Sequence, residues 1–119
     1  MDESELIKEG HYANFGAAGA RTEMPGCSLC MGNQAQVREG ATVVSTSTRN
    51  FPNSLGKNTN VFLTSAELAE VCSKLGKIPT VAEYLEAVGI INQDAANVYK
   101  YMHFDQIEEY AQTAKGVTV

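Results

Sequence analysis

The sequence predicts an α/β protein, with short strands in its first half and helices in its second. Three observations carry this expectation. "GATVVSTST" (40–48) and "NVFLTS" (60–65) are short β-branched runs that read as buried strands. The second run passes directly into a pattern of apolar residues at helical spacing, a strand–helix step typical of α/β layers. Between the two runs lies a long polar stretch, "RNFPNSLGKNTN" (49–60), of the kind that α/β proteins carry at strand ends, where ligands bind.

Taken in order, the first ten residues set Leu6 and Ile7 among charged neighbours and predict a short helix ending at Gly10. "YANFGAAGART" (12–22), with glycines at 16 and 19, reads as a loop or turn leading into a short strand. After the second strand, Thr64 and Glu67 have capping-box spacing, and Leu68, Val71, Cys72 and Leu75 follow at helical intervals up to Gly76. Beyond Pro79 the pattern recurs. Thr80 and Glu83 form a second capping box and open a helix through Tyr84, Leu85 and Val88 to Gly89. The tail predicts amphipathic helices around 92–101 and 104–114.

The totals narrow the function classes. A chain of 119 residues is one domain or a piece of one. Its 44% hydrophobic and 19% charged content fits a globular protein, not a disordered one. No apolar run approaches the roughly 20 residues that span a bilayer, and the N-terminus has no secretory pattern, so a cytoplasmic location is expected. The formal net charge is −5, with 6 acids and 5 bases in residues 1–60 and 8 acids and 4 bases in residues 61–119. That balance lacks the basic stripe of a dedicated nucleic-acid binder. Three cysteines, an odd number, argue against a disulfide framework.

Chemistry concentrates in "PGCSLCMGNQ" (25–34), where Cys27 and Cys30 are three apart. A lone CxxC serves a disulfide, a zinc ion, a redox couple or an iron–sulfur cluster. A disulfide needs an oxidising compartment that nothing in the sequence implies. A thioredoxin-type couple favours a helix start directly after a strand, whereas Pro25-Gly26 precedes this pair. Structural zinc needs four ligands, and the remaining candidates, Cys72, His11 and His103, form no second paired motif. Cys72 falls on a helical apolar stripe and reads as a small core residue. An iron–sulfur cluster also needs more thiolates than this pair supplies. Any metal site here is therefore incomplete on its own residues.

"TEMPGCSLCMGNQAQV" (22–37) followed by "GATVVSTSTRNFPNSLG" (40–56) closely resembles the C-terminal part of the bacterial aconitase B family. The likeness extends over essentially the whole chain, through "NVFLTSAELAEVCSKLGKIPT" (60–80) and "YKYMHFDQIEEY" (99–110). The resemblance implies part of an aconitase-type three-layer domain, residues 1–119 being the C-terminal part of the cluster-binding domain of a longer lyase of the tricarboxylic acid cycle. It implies a [4Fe-4S] cluster held by three cysteines, two of them matching Cys27 and Cys30. An open fourth iron would act as Lewis acid on citrate or isocitrate in reversible dehydration through cis-aconitate. The third cysteine and the catalytic base fall in other parts of the family's chain, and Met1 matches an internal position. No catalytic residue is therefore expected in this chain, and no turnover from it alone. Its partners would be citrate, isocitrate, cis-aconitate and the remaining domains, with RNA as an alternative partner of a cluster-free form. Strands separated from such neighbours would expose an edge that invites association.

Arg49 takes the position of a substrate-binding arginine, where a guanidinium grips a carboxylate through two parallel hydrogen bonds. Thr48 and Asn50 are candidate supporting hydrogen-bonders, and Met31, Gly32 and Asn33 would let the backbone pass close to the cluster. At position 54 the family pattern has a second substrate arginine, and this chain has Ser54. Loss of one such desolvated contact commonly costs a few kcal/mol, about two to three orders of magnitude in rate or affinity.

Overall fold

The computed structural model describes residues 2–24, 26, 31–103, 106, 108, 111 and 112. The elements are α1 (Asp2–Lys8), α2 (His11–Ala17), β1 (Thr42–Ser45), β2 (Asn60–Leu63), α3 (Ala66–Leu75), α4 (Val81–Gln93), α5 (Ala95–Val98) and a 3-10 turn (Lys100–Met102). They fall into two compact units, one formed by Met1–Met24 with Asp94–Val119 and the other by Pro25–Gln93.

The second unit is built on β1 and β2, which pair in parallel with Thr42 opposite Asn60 and Ser45 opposite Leu63. The ladder extends one step at each end, through Asn60 N–H to the Ala41 carbonyl and Thr64 N–H to the Ser45 carbonyl, both 2.9 Å. Parallel neighbours cannot be joined by a tight hairpin and need a crossover of a dozen residues or more. The polar stretch 46–59 is that crossover. Helix α3 follows β2 at once and packs on β1. Val71 is 3% exposed and Cys72 8% exposed, and they are the buried core among the described residues. The reading of Cys72 as a core residue holds.

The strands are shorter than the β-branched runs and less buried than expected: β1 is half-buried, and Phe62 and Leu63 of β2 are exposed. Each strand has a single partner among the described residues, so one edge of each is open. Helix α3 is capped by Ser65 (φ −70°, ψ 164°), whose Oγ accepts from Leu68 N–H at 3.2 Å, not by Thr64. Thr64 is still engaged in the ladder with Ser45, so the cap falls one residue later. Gly76, with φ +68°, ends the helix in the left-handed conformation. The Thr80 cap is as read, with Glu83 N–H donating to Thr80 Oγ1 at 3.3 Å. Lys77 Nζ reaches Glu83 Oε1 at 3.0 Å, and this hydrogen bond is the first reason the Glu83 carboxyl lies below its ordinary range. Helix α4 passes through Gly89 and ends at Gln93, because an isolated glycine only weakens a helix.

In the first unit, α1 ends before Gly10, whose φ of +84° turns the chain into α2. Residues 11–17 are helical where a loop was expected. Tyr12 and Phe15 stand three apart on this helix with ring centroids 5.8 Å apart, a local contact that offsets the poor propensity of Gly16. The strand expected at the end of this stretch is not formed: residues 18–24 carry none, and the first strand among the described residues is β1. The Glu9 carboxylate accepts hydrogen bonds from Lys100 Nζ and from Tyr101 OH (2.9 Å), and His11 Nε2 lies 3.3 Å from it. The Lys100 bond, then the Tyr101 bond, hold the Glu9 carboxyl below its usual range, and Lys100 is raised in return. The helix expected at 92–101 is broken into α5 and the 3-10 turn, and the one at 104–114 lies mostly outside the described residues. No helix among the described residues is long and apolar enough to cross a membrane.

Candidate functional site

The polar end of β1 starts a chain of hydroxyls. Ser45 Oγ donates to Ser47 Oγ at 3.1 Å, and Ser47 Oγ donates to the Arg49 carbonyl at 2.9 Å. Ser45 Oγ also accepts from Ser47 N–H at 3.1 Å, so the strand closes in a short side-chain-bonded turn. These bonds fix the Arg49 backbone while its guanidinium stays exposed, with no ion pair or hydrogen bond among the described residues. Asn50 Nδ2 donates to the Val61 carbonyl at 3.4 Å, which tethers the loop to β2. Asn50 thus has a structural partner, and Thr48 is exposed.

Residues 51–59 fold into a compact loop through their own polar groups. Ser54 N–H donates to the Phe51 carbonyl at 3.1 Å and Gly56 N–H to the Asn53 carbonyl at 3.2 Å. Asn53 and Asn58 take φ of 61° and 54°, left-handed values that asparagine accepts better than most residues. Asn53 Oδ1 accepts from Asn58 N–H at 2.8 Å, and Asn58 Nδ2 donates to Glu39 Oε1 at 2.9 Å. Lys57 Nζ lies 3.4 Å from the same carboxylate oxygen.

This loop is docked on the segment that follows the CxxC. Val37 N–H donates to the Leu55 carbonyl at 2.7 Å, and Gly40 N–H to the Lys57 carbonyl at 3.0 Å. Two glycines sit where the backbones meet. A Cβ on Gly56 would lie 2.6 Å from the Val37 carbonyl oxygen. A Cβ on Gly32 would overlap the Ser54 carbonyl oxygen and stand 3.2 Å from the Ser54 carbonyl carbon. Gly32, expected to give the backbone access to a cluster, thus makes a close approach to Ser54. The half-buried Ser54 side chain makes no hydrogen bond among the described residues.

The sequence-predicted residues are therefore placed unequally. Arg49 and Ser54 lie on one crossover loop, and Ser54 abuts the segment two residues beyond Cys30. Cys27 and Cys30 themselves lie outside the described residues. Among the described residues no three His, Cys, Asp or Glu side chains gather as a metal site, and Cys72 is a buried free thiol. Sequence reasoning missed Gln34, whose Oε1 is buried without a hydrogen-bond partner among the described residues. It also missed Glu39, which anchors the loop through Asn58 and Lys57. A polar amide four residues past a cysteine pair carries little signal by itself, and Glu39 acts across 19 positions.

Comparison with known proteins shows what the chain is similar to. The model of the aconitase (aconitate hydratase) family matches residues 3–76. Aconitate hydratase B of Pseudomonas aeruginosa is 60% identical over 119 residues, the whole of this chain and 14% of the relative. Aconitate hydratase B of Salmonella typhimurium is 57% identical over 117 residues, 98% of this chain and 14% of the relative. A 3-isopropylmalate dehydratase large subunit of Mycobacteroides abscessus is 37% identical over 86 residues, 71% of this chain and 18% of the relative. The chain spans about one seventh of the length of these aconitate hydratases.

Proposed function

The chain belongs to the aconitase family, and from that premise we propose that it is a segment of an aconitate hydratase, the C-terminal part of its cluster-binding domain within a three-layer architecture. Its role is to contribute to the interconversion of citrate and isocitrate through cis-aconitate. The observation that carries this reading is Arg49, an exposed guanidinium without a partner among the described residues, held by its own backbone at the end of β1. With no acid against it among the described residues, its guanidinium can meet a carboxylate.

Two features of the chain fit an iron–sulfur group. Cys27 and Cys30 are soft donors of the type that holds iron in such clusters. The second is Gln34, whose buried Oε1 has no hydrogen-bond partner among the described residues. A half-turn of its terminal torsion presents N–H, which can donate to sulfur and tune the group. When bound, the cluster supplies a Lewis-acidic iron that polarises a substrate hydroxyl. Cys27 and Cys30 would each supply a thiolate to it, with a third thiolate supplied from outside this chain. Arg49 orients a substrate carboxylate by a bidentate hydrogen bond. Ser54 provides an uncharged surface where the family pattern has an arginine.

The test uses the complete parent chain, reconstituted anaerobically with iron and sulfide. Citrate-dependent absorbance at cis-aconitate wavelengths is expected, with loss of cluster absorbance in Cys27→Ser and Cys30→Ser and a raised KM in Arg49→Ala. A fully reconstituted chain with no citrate-dependent signal, also in Ser54→Arg, would overturn the reading.

A further inference from the structure

We propose that Gly32 is a positioning residue: its missing side chain lets the segment after Cys30 seat on the Ser54 backbone, which sets the loop that presents Arg49 and position 54 to substrate. This rests on the function proposed above. Three observations carry it. A Cβ at 32 has no space, since it would overlap the Ser54 carbonyl oxygen and stand 3.3 Å from Gln36 Nε2. The obstacle is backbone, which cannot swing aside as a side-chain end can. The contact is also reinforced, because the neighbouring Val37 N–H bonds to Leu55 and Gly56 is excluded from carrying a Cβ by the Val37 carbonyl. Two backbone segments therefore lock at two points, 22 positions apart in sequence at Gly32–Ser54 and 19 at Val37–Gly56.

The contact uses only the carbonyl of residue 54, so it holds whichever side chain stands there. Serine or arginine at 54 departs from the same point relative to the segment after Cys30. Placement matters in such a site because misplacing a substrate-gripping group by about 1 Å costs about a hundredfold in rate. Gly32 thereby ties the position of the substrate-binding loop to the segment that bears the cysteine pair, without touching substrate.

Gly76 supplies the control. Its φ of +68° matches the +70° of Gly32, yet a Cβ there meets nothing within 4 Å. Alanine at either position carries the same left-handed strain, and only at 32 does it also collide. Asparagine, which tolerates that conformation better, repeats the comparison with less strain. Hydrogen–deuterium exchange of the complete parent chain, read at the peptides of this segment, gives the outcome. Gly32→Ala and Gly32→Asn are expected to speed exchange of the Val37, Ser54 and Gly56 amides at least tenfold over the Gly76 variants. The α4 amides, which report the fold of the unit and lie beyond the Gly76 cap of α3, should change equally in both sets. In the complete parent chain, Gly32→Ala should raise KM for citrate about tenfold, with cluster absorbance retained and kcat changed less.

Equal loop exchange in the Gly32 and Gly76 variants would overturn the inference. So would α4 amides that exchange as fast as the loop in both Gly32 variants, since Gly32 would then determine folding and not loop placement. Failure of the aconitase reading looks different: a parent chain without citrate chemistry leaves the loop-exchange result intact.

Discussion

Ser54→Arg is the substitution whose effect on function can be worked furthest from the structure. The cost to the fold is small. The Ser54 hydroxyl bonds to nothing among the described residues, and the two contacts that matter, N–H to Phe51 and carbonyl against Gly32, are main-chain. Substitutions at such positions usually change stability by less than about 0.5 kcal/mol. The gain comes from charge-assisted hydrogen bonds to a second substrate carboxylate, about 1.5–3 kcal/mol each. Against two of them stands the ordering of the long side chain, about 2 kcal/mol. The balance is about 1–4 kcal/mol, or a factor between about 5 and 700. The assay is KM for citrate in the reconstituted parent chain, alone and combined with Arg49→Ala. KM should fall by that factor, and the gain should shrink when Arg49 is absent, because one tri-acid has to reach both guanidiniums. An unchanged or higher KM, with α3 exchange at its original rate, would refute the reasoning: position 54 would not face substrate.

Other outcomes follow from single contacts. Ser65→Ala leaves the Leu68 N–H without its cap, and the Pro25–Gln93 unit should lose about 1 kcal/mol in urea unfolding. Val71→Ala removes two carbons from the most buried side chain, about 0.8 kcal/mol each. The open cleft of about 220 Å³ beside Val71 gives the site room to relax, so the total should stay near 2 kcal/mol, well under the upper values for closed cores. In the other unit, the Glu9 carboxyl is held below its ordinary range, by Lys100 first and then Tyr101. It stabilises the fold above its unfolded-state pKa, and that contribution disappears as pH falls through the lower folded-state value. Lys100, raised by the same pair, contributes below the ordinary lysine range and loses its part as pH rises through the raised value. Amide exchange in α1 and α2 should therefore quicken in acid below the ordinary carboxylate range, and Glu9→Gln should flatten that dependence.

How much of this was legible in the sequence depends on the distance over which each feature acts. Local features were read correctly: the Thr80–Glu83 cap, the Gly76 stop, the polar crossover between strands and the core role of Cys72 all depend on neighbours within one or two turns. Errors arose where a second interaction competed. Thr64 looked like a cap but is held by the ladder to Ser45, and residues 11–17 are helical despite their glycine, with Tyr12 and Phe15 in a tilted ring contact along the helix. The two residues proposed to meet substrate were found through family resemblance, since Arg49 and Ser54 look like ordinary loop residues. What no local pattern could reveal was the docking of their loop. Its determinants are main-chain atoms, and its trace in the sequence is a pair of glycines, Gly32 and Gly56, that pass for ordinary turn residues. A glycine kept free for conformation and one kept free for space look alike in sequence. Gly76 and Gly32 share a backbone conformation, and only the second has another backbone where its side chain would be. The functional meaning of Gly32 therefore lies wholly in the 22-residue separation that the fold closes, which is why exchange at Val37 and Ser54, not overall stability, is the measurement that reads it.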